Sequence, residues 1–240
     1  MTEKYVLVTG GAQNIGKAIS KRLTEDGFQI IILDIKEPSH EYFTEFNKVD
    51  LSDAASVQPC LAELSAKYSI SGLVNNVGIV EPASMEDVTL DDFERVLNTN
   101  ARSAMLCTQA LLPKMRQQKF GRIVSTVSRV VLGKKLRTSY CASKGAVLSM
   151  SRTWALEMAK YGITINCIAP GPIATSAFWE NNPPNSSRAK EIVENIPMKR
   201  MGNPDDISHA TSYFMDERSG FVTGQVLYVC GGLTVGLAGI

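Results

Sequence analysis

Short runs of apolar, β-branched residues recur along the chain, separated by longer stretches whose apolar positions fall three and four apart. Tyr5–Thr9, Gln29–Leu33, Glu45–Val49, Leu73–Asn75, Arg122–Thr126, Thr164–Ala169 and Gln225–Val229 carry the first pattern and are predicted as strands. Between the first two, Ile15, Ala18, Ile19 and Leu23 share one helical face, and Gly27 is placed to close that helix as its C-cap. Thr89 followed by Asp92 resembles a capping box and opens an amphipathic run to about Gln117. Asn203-Pro204-Asp205-Asp206 sets a cap, a first-turn proline and first-turn acids at a second helix start. Pro59 interrupts the pattern of Val57, Leu61 and Leu64, so that helix is expected to begin late or to bend.

Strands alternating with helices predict an α/β fold: a seven-stranded parallel sheet with helices on both faces, doubly wound, binding ligands beyond the carboxyl ends of its strands. With 240 residues, 44% of them apolar, and no linker or low-complexity tract, one domain spanning 1–240 is expected. A net charge of +1 singles out neither nucleic acid nor another charged macromolecule as a partner. Met1-Thr2-Glu3-Lys4 leads straight into the apolar Tyr5–Val8, leaving no room for a signal peptide. No other run of about 18 apolar residues occurs, so a cytoplasmic protein off the membrane is expected. The five cysteines form no C-x-x-C pair and there are two histidines, a composition that predicts reduced, packed thiols and no metal.

The stretch Val8-Thr9-Gly10-Gly11-Ala12-Gln13-Asn14-Ile15-Gly16-Lys17-Ala18 admits two readings. From Gly11 it has the G-x-x-x-x-G-K spacing of an NTP phosphate loop; from Gly10 it resembles a dinucleotide turn lacking one glycine. A phosphate loop needs a Ser or Thr after its lysine to hold Mg²⁺, and position 18 is Ala. A dinucleotide turn needs an acid about 20 residues on, and Asp34 ends the second strand. Its carboxylate suits a ribose 2′-hydroxyl and repels a 2′-phosphate, which predicts NAD over NADP. Asp50 ends the third strand, where adenine would lie.

Thr9-Gly10-x-x-x-Asn14-Ile15-Gly16, Asn75-Asn76-Val77-Gly78, Asn100, Ser128, Tyr140-x-x-x-Lys144 and Pro170-Gly171, in that order, resemble the short-chain dehydrogenase/reductase family. The likeness continues through Arg200-x-Gly202 and Val222-Thr223-Gly224-Gln225. It departs at Asn14, where the turn usually has its middle glycine, at Val77 for Ala, and at Cys230 for Asp. Asn is the non-glycine residue best able to take φ > 0, so the turn can survive if its side chain points away from the pyrophosphate.

The resemblance implies a Rossmann domain that transfers hydride between nicotinamide C4 and an oxygen-bearing carbon, Tyr140 exchanging the hydroxyl proton. Ser128 would hydrogen-bond the substrate oxygen, Lys144 would hold the nicotinamide ribose, and Asn100 would anchor a water in the proton path. Gly10, Gln13, Asn14, Ile15, Gly16, Asp34, Asp50, Leu51, Asn76, Val77, Gly78, Pro170, Gly171, Ile173 and Thr175, with Tyr140 and Lys144, would line the cofactor. Ser125 and Ser128 stand near the end of one strand, on opposite faces by alternation; the resemblance selects Ser128. On a helix Tyr140 and Lys144 are i and i+4 and share a face. An ammonium ~4.5 Å from the phenol at an effective dielectric of ~20 would contribute about 3–4 kcal/mol, lowering a pKa of ~10 by two to three.

Arg129, Lys134, Lys135 and Arg137 crowd the loop before Tyr140, a run that reads first as a solvated loop and, as the alternative, lets one of them meet an anionic substrate group such as a carboxylate. Ser176 to Met198, rich in Asn and Pro, reads as a mobile lid in which Phe178 and Trp179 could wall an apolar or ring-shaped substrate. The leading expectation is an NAD-dependent dehydrogenase of a secondary alcohol, a class that includes cyclic and carboxylate-bearing substrates. The alternatives are a 3-oxoacyl-carrier-protein reductase and, from another class, an NAD-binding regulator without catalysis. The resemblance also implies a homotetramer built on helices at about 90–117 and 140–160, and the apolar end Leu233–Ile240 fits a subunit contact.

Overall fold

The computed structural model describes residues 4–236. Its strands are β1 (Tyr5–Thr9), β2 (Gln29–Asp34), β3 (Glu45–Lys48), β4 (Ile70–Asn75), β5 (Gly121–Thr126), β6 (Ile163–Pro170) and β7 (Val226–Val229). Its helices are α1 (Asn14–Glu25), α2 (Ala54–Lys67), α3 (Leu90–Leu97), α4 (Ser103–Gln118), α5 (Thr138–Met158), α6 (Ser176–Asn181), α7 (Ser187–Asn195) and α8 (Pro204–Met215). The strands form one parallel sheet in the order β3-β2-β1-β4-β5-β6-β7.

Side chains alternate across this sheet, and both faces are buried. Val6, Val8, Ile30, Ile32, Val74 and Val124 pack on one side against Ile19 and Leu23 of α1 and Ile207 and Phe214 of α8. Leu7, Ile31, Leu33, Leu73, Ile123 and Ile165 pack on the other against α2, α4 and α5. Each such side chain contributes roughly 1.5–3 kcal/mol by leaving water, so the two cores hold the strand ends in place. β1 lies between β2 and β4, and the chain's direction of travel across the sheet reverses there. The crevice beyond the carboxyl ends of β1 and β4 is therefore the place for a ligand.

Local signals set most boundaries. Gly27, at φ +89°, closes α1: its N–H donates to the Thr24 carbonyl (3.0 Å) and that of Phe28 to Leu23 (2.9 Å). Asn203 and Asp206 form a reciprocal capping box at α8, with Pro204 in the first turn. At α3 the Thr89 hydroxyl accepts from the Asp92 N–H and donates to the Asp92 carboxylate (2.9 Å).

Several expectations are corrected. β4 starts at Ile70, three residues earlier than its pattern suggests, and β3 ends at Lys48, although the Val49 N–H still donates to the Asp34 carbonyl at 3.0 Å. α2 does not start late: Asp53 caps it and Pro59 lies within it on the exposed side, where the carbonyl that loses its partner meets water. The run from Thr89 to Gln117 is no single α-helix, because a π turn at Asn98–Arg102 separates α3 from α4. Residues 176–198 contain α6, capped by Thr175, and α7, capped by Ser186. Of the apolar end, residues 237–240 lie outside the described residues. No helix among the described residues is long and apolar enough to cross a membrane.

Candidate active site

The turn after β1 is shaped by three positions. Gly10 has φ +66° and Asn14 φ +51°, so Asn14 does adopt the left-handed conformation its glycine-like place demands. At Gly16 a Cβ would lie 1.8 Å from the Gly10 carbonyl oxygen, so no other residue fits. Gln13, the exposed N-cap of α1, makes no side-chain cap bond, which leaves first-turn N–H groups facing the crevice. Such a turn at a helix N-terminus accepts a pyrophosphate. A dinucleotide fits this cradle. The Asn14 side chain points toward Ser176, and Ile15 packs into the core between the sheet and α1.

Asp34 is buried, and its two carboxylate oxygens accept from the N–H groups of Ala12 and Lys36, each at 3.0 Å. A carboxylate has about four lone-pair sites, so capacity remains for a ribose hydroxyl. His40, which the sequence reading missed, reinforces the same turn. Its Nδ1 accepts from the Tyr42 N–H (3.2 Å), so the proton sits on Nε2 and is donated to the Gly11 carbonyl (3.1 Å). Asp50 lies two residues beyond β3 and holds the Ser52 N–H (2.8 Å) and hydroxyl (2.7 Å). The Leu51 side chain is in the core, so only its backbone can meet a ligand.

Asn76 joins three strand ends. Its Nδ2 donates to the carbonyls of Thr9 (3.2 Å) and Gly10 (3.1 Å), while its Oδ1 accepts from the Thr126 hydroxyl at 3.4 Å. Thr9, quoted in the motif but assigned no role, takes the N–H groups of Asn76 and Val77 on its hydroxyl (3.0 and 3.1 Å). Gly78 backs onto Lys144, whose Nζ would lie 3.0 Å from any Cβ there. On the far side Pro170 ends β6, Gly171 donates to Val229, Ile173 is buried and bridges to Gly202, and Thr175 caps α6. Cys230 is buried, its Sγ 3.3 Å from the Thr234 hydroxyl.

The structure brings Ser128, Tyr140, Lys144 and Asn100 together. Ser128 lies beyond β5; its hydroxyl accepts from the Val130 N–H (3.3 Å) and is near enough to the Tyr140 phenol to favour its charged form. Ser125 faces the opposite way, within 3.4 Å of Asn75 Nδ2. Lys144 is buried, its Nζ 2.7 Å from the Thr126 carbonyl and 5.8 Å from the centroid of the Tyr140 ring. Asn100 sits in the π turn. Its Oδ1 accepts from the Ile79 N–H (2.8 Å), and its Nδ2 donates to the Ile79 carbonyl and the Ser143 hydroxyl, both at 3.0 Å. Ser143 in turn donates to the Tyr140 carbonyl (2.9 Å), tying the π turn to α5.

The electrostatics differ from the expected pairwise attraction. Burial pushes the Tyr140 phenol up to about 12, with the Ser128 hydroxyl and the Arg137 guanidinium pulling the other way. Burial also brings Lys144 down to about 8. Desolvation thus dominates at both groups, and the phenol is a protonated acid at neutral pH. Among the described residues no three His, Cys, Asp or Glu side chains converge as metal ligands would.

Residues 10–234 match a family model described as enoyl-(acyl carrier protein) reductase. The (2S)-[(R)-hydroxy(phenyl)methyl]succinyl-CoA dehydrogenase subunit BbsD of Thauera aromatica is 35% identical over 240 residues, covering 95% of this chain and 96% of that one. The 3-oxoacyl-[acyl-carrier-protein] reductase FabG of Aggregatibacter actinomycetemcomitans is 33% identical, covering 95% and 98%. A crystal structure from Beutenbergia cavernae, described as an NAD(P)-dependent gluconate 5-dehydrogenase with bound NADP, superposes with a TM-score of 0.92 at 28% identity over 98% of each chain. The match runs through both the glycine turn and the Tyr140–Lys144 helix, and the chain belongs to the short-chain dehydrogenase/reductase family of oxidoreductases.

Proposed function

We propose that this chain is an NAD-dependent oxidoreductase acting on a secondary alcohol or ketone, with Tyr140 as the group that exchanges the substrate's hydroxyl proton. The observation that carries this is the Tyr140 ring one helical turn from the buried Lys144, whose Nζ lies 5.8 Å from the ring centroid, with the Ser128 hydroxyl near enough to act on the phenol. A bound nicotinamide dinucleotide supplies the hydride carrier. The chain's residues bind it through the turn from Gly10 to Gly16 and handle the proton.

A phenol held at about 12 is the acid needed to protonate a ketone oxygen as its carbon is reduced. Ser128 donates a second hydrogen bond to that oxygen, and Lys144, charged below about pH 8, stabilises the phenolate left behind. Both Asn100 side-chain donors are occupied, so a water held there rests on the second Oδ1 lone pair or the backbone carbonyl. The reverse reaction, alcohol oxidation, requires the phenolate and is favoured by high pH.

Asp34 supports NAD over NADP, because its carboxylate stands where a 2′-phosphate would need a cation. The segment 176–198 serves as a lid over the substrate, with Phe178 and Trp179 packed edge to face at 5.0 Å. Phe221 is fully exposed, and Leu156 on α5 and Leu90 on α3 are largely so, apolar surface that fits a cytoplasmic homotetramer. A monomeric mass by light scattering at micromolar concentration would refute the assembly.

A second reading, reduction of a 3-oxoacyl carrier-protein thioester, is supported by the likeness to FabG proteins. Rates with NADH and NADPH separate the two, a clear NADPH preference favouring the second. The deciding experiment is a panel of alcohols and ketones assayed with NAD⁺ and NADH, repeated with Tyr140→Phe. Turnover that survives this substitution removes Tyr140 from the proton path. No turnover of any alcohol or ketone leaves the NAD-binding regulator as the better reading.

A further inference from the structure

The Gly11–Ala12 peptide is held at both ends by the segment that follows β2. Its N–H donates to Asp34 Oδ2 at 3.0 Å, and its carbonyl accepts from His40 Nε2 at 3.1 Å. A trans peptide points these two groups in opposite directions, so Asp34 and His40 bracket it. One residue earlier, the Gly10 N–H donates to the Leu33 carbonyl at 2.8 Å. The sequence shows why such bracing is needed. Gly11 lies against Ile32, where a Cβ would come within 2.9 Å of Cγ1, and Gly10 beside it has φ +66°. Adjacent glycines leave the peptides around them free to rotate unless partners hold them.

His40 is itself fixed. Its Nδ1 accepts from the Tyr42 N–H at 3.2 Å, and its ring stacks on Tyr42 with centroids 5.5 Å apart. Phe43 meets the ring edge to face at 5.9 Å and packs against the core between the sheet and α1. Burial, aided by the Lys17 ammonium, holds the imidazole below its ordinary value against the pull of the Gly11 carbonyl. The ring therefore stays neutral, with one nitrogen accepting and the other donating, which both bonds require.

We propose that His40 is a positioning residue for the adenosine half of the dinucleotide: by holding the Gly11 carbonyl it fixes the Ala12 N–H, and through it the Asp34 carboxylate. This rests on the reading in which Asp34 meets the ribose. The Lys36 N–H takes the other carboxylate oxygen at 3.0 Å, so the lone pairs left for a ligand point where these two N–H groups direct them. With the carbonyl released, the peptide tilts and carries the Ala12 N–H away from Asp34.

Two substitutions divide the two bonds of the ring. His40→Gln keeps an N–H donor within reach of Gly11. His40→Asn keeps an acceptor for the N–H two residues on, as Asn does in Asx turns, and loses the reach to Gly11. NADH is titrated by fluorescence and ADP-ribose by calorimetry. In His40→Asn both are expected to bind about three- to tenfold more weakly, the worth of one hydrogen bond. In His40→Gln both are expected to stay within about twofold of wild type. Wild-type affinity in His40→Asn, an equal loss in His40→Gln, or a loss seen with NADH and absent with ADP-ribose overturns the role. Wild-type protein that binds neither compound overturns it together with the dinucleotide reading, whereas binding without turnover of any alcohol or ketone leaves His40 its role and counts against catalysis.

Discussion

Asn14 and Ser176, 162 residues apart, are joined by three hydrogen bonds. Asn14 Nδ2 donates to the Ser176 hydroxyl at 3.0 Å, and Asn14 Oδ1 accepts from the Ser176 backbone N–H at 3.0 Å and from its hydroxyl at 3.2 Å. Glycine, the residue the family's turn usually carries there, could make none of them. The substitution therefore links the turn that would hold the pyrophosphate to the first residue of α6. Asn14→Gly keeps the left-handed backbone and removes the link. Amide exchange across Phe178–Asn182 is expected to accelerate by about tenfold to a hundredfold, since three hydrogen bonds of about 0.5–1 kcal/mol each sum to roughly 1.5–3 kcal/mol, while NADH affinity changes less than threefold. Unchanged exchange would show that the contact does not order the helix.

One substitution separates the structural role of Asp34 from the cofactor role proposed for it. Asp34→Ser removes the charge proposed to meet the ribose, so the NAD-to-NADP preference measured by kcat/KM should fall by about tenfold or more. It also takes acceptors from the Ala12 and Lys36 N–H groups, and stability should fall by about 1–3 kcal/mol in urea unfolding. A variant that loses stability but keeps its cofactor ratio would assign Asp34 a structural role alone.

Tyr140→Phe keeps the ring and deletes the proton. Turnover should drop by about 10²–10⁴-fold, the usual worth of a positioned general acid, while NADH binding, read by fluorescence, stays within a few-fold. With the wild-type protein, kcat/KM for alcohol oxidation should climb with pH through the range below the phenol's pKa of about 12. Ketone reduction should hold steady and then decline as Lys144 loses its proton near pH 8.

Lys144 makes a stability prediction independent of substrate. Its folded pKa, about 8, lies below its ordinary value of 10.5, so between these two pH values the unfolded chain binds more protons than the native one. Stability should therefore rise with pH across that window, by up to about 3 kcal/mol. Lys144→Met should unfold at a higher temperature than wild type near pH 7 and show a flatter curve from pH 8 to 9.5. A parallel pair of melting curves would contradict the buried-ammonium account.

The sheet and the turn were legible because their signals are local. Short apolar, β-branched runs mark the seven strands, and Gly10, Asn14 and Gly16 shape the turn within one stretch of chain. β4 runs back from Leu73 through Ser71 and Gly72, outside the apolar run; Gly72 suits its place because Val6 and Met215 press on it, a Cβ there lying 2.5 Å from Met215 Cε. Ser128, Tyr140, Lys144 and Asn100 do come together, yet their partners Thr126, Ser143 and Ile79 depend on packing no motif records. The electrostatics at Tyr140 went the other way because a pairwise attraction leaves out the cost of taking both groups from water. The contacts of Asn14 with Ser176, and of His40 with Gly11, join segments whose approach only the finished fold decides.

The π turn at Asn98–Arg102 makes room for one more residue than a regular helix needs. Each α-helical residue advances about 100° around the axis, and the wider coil spreads nearly the same rotation over one residue more. Deleting one residue there would let α3 and α4 fuse into a single helix with both flanking faces still in phase, Val96 on its buried side. What the shorter helix would give up is the outward step of the coil on which Asn100 stands, and with it the grip of that carboxamide on Ile79. The extra residue serves the site, while the packing of the two helices could do without it.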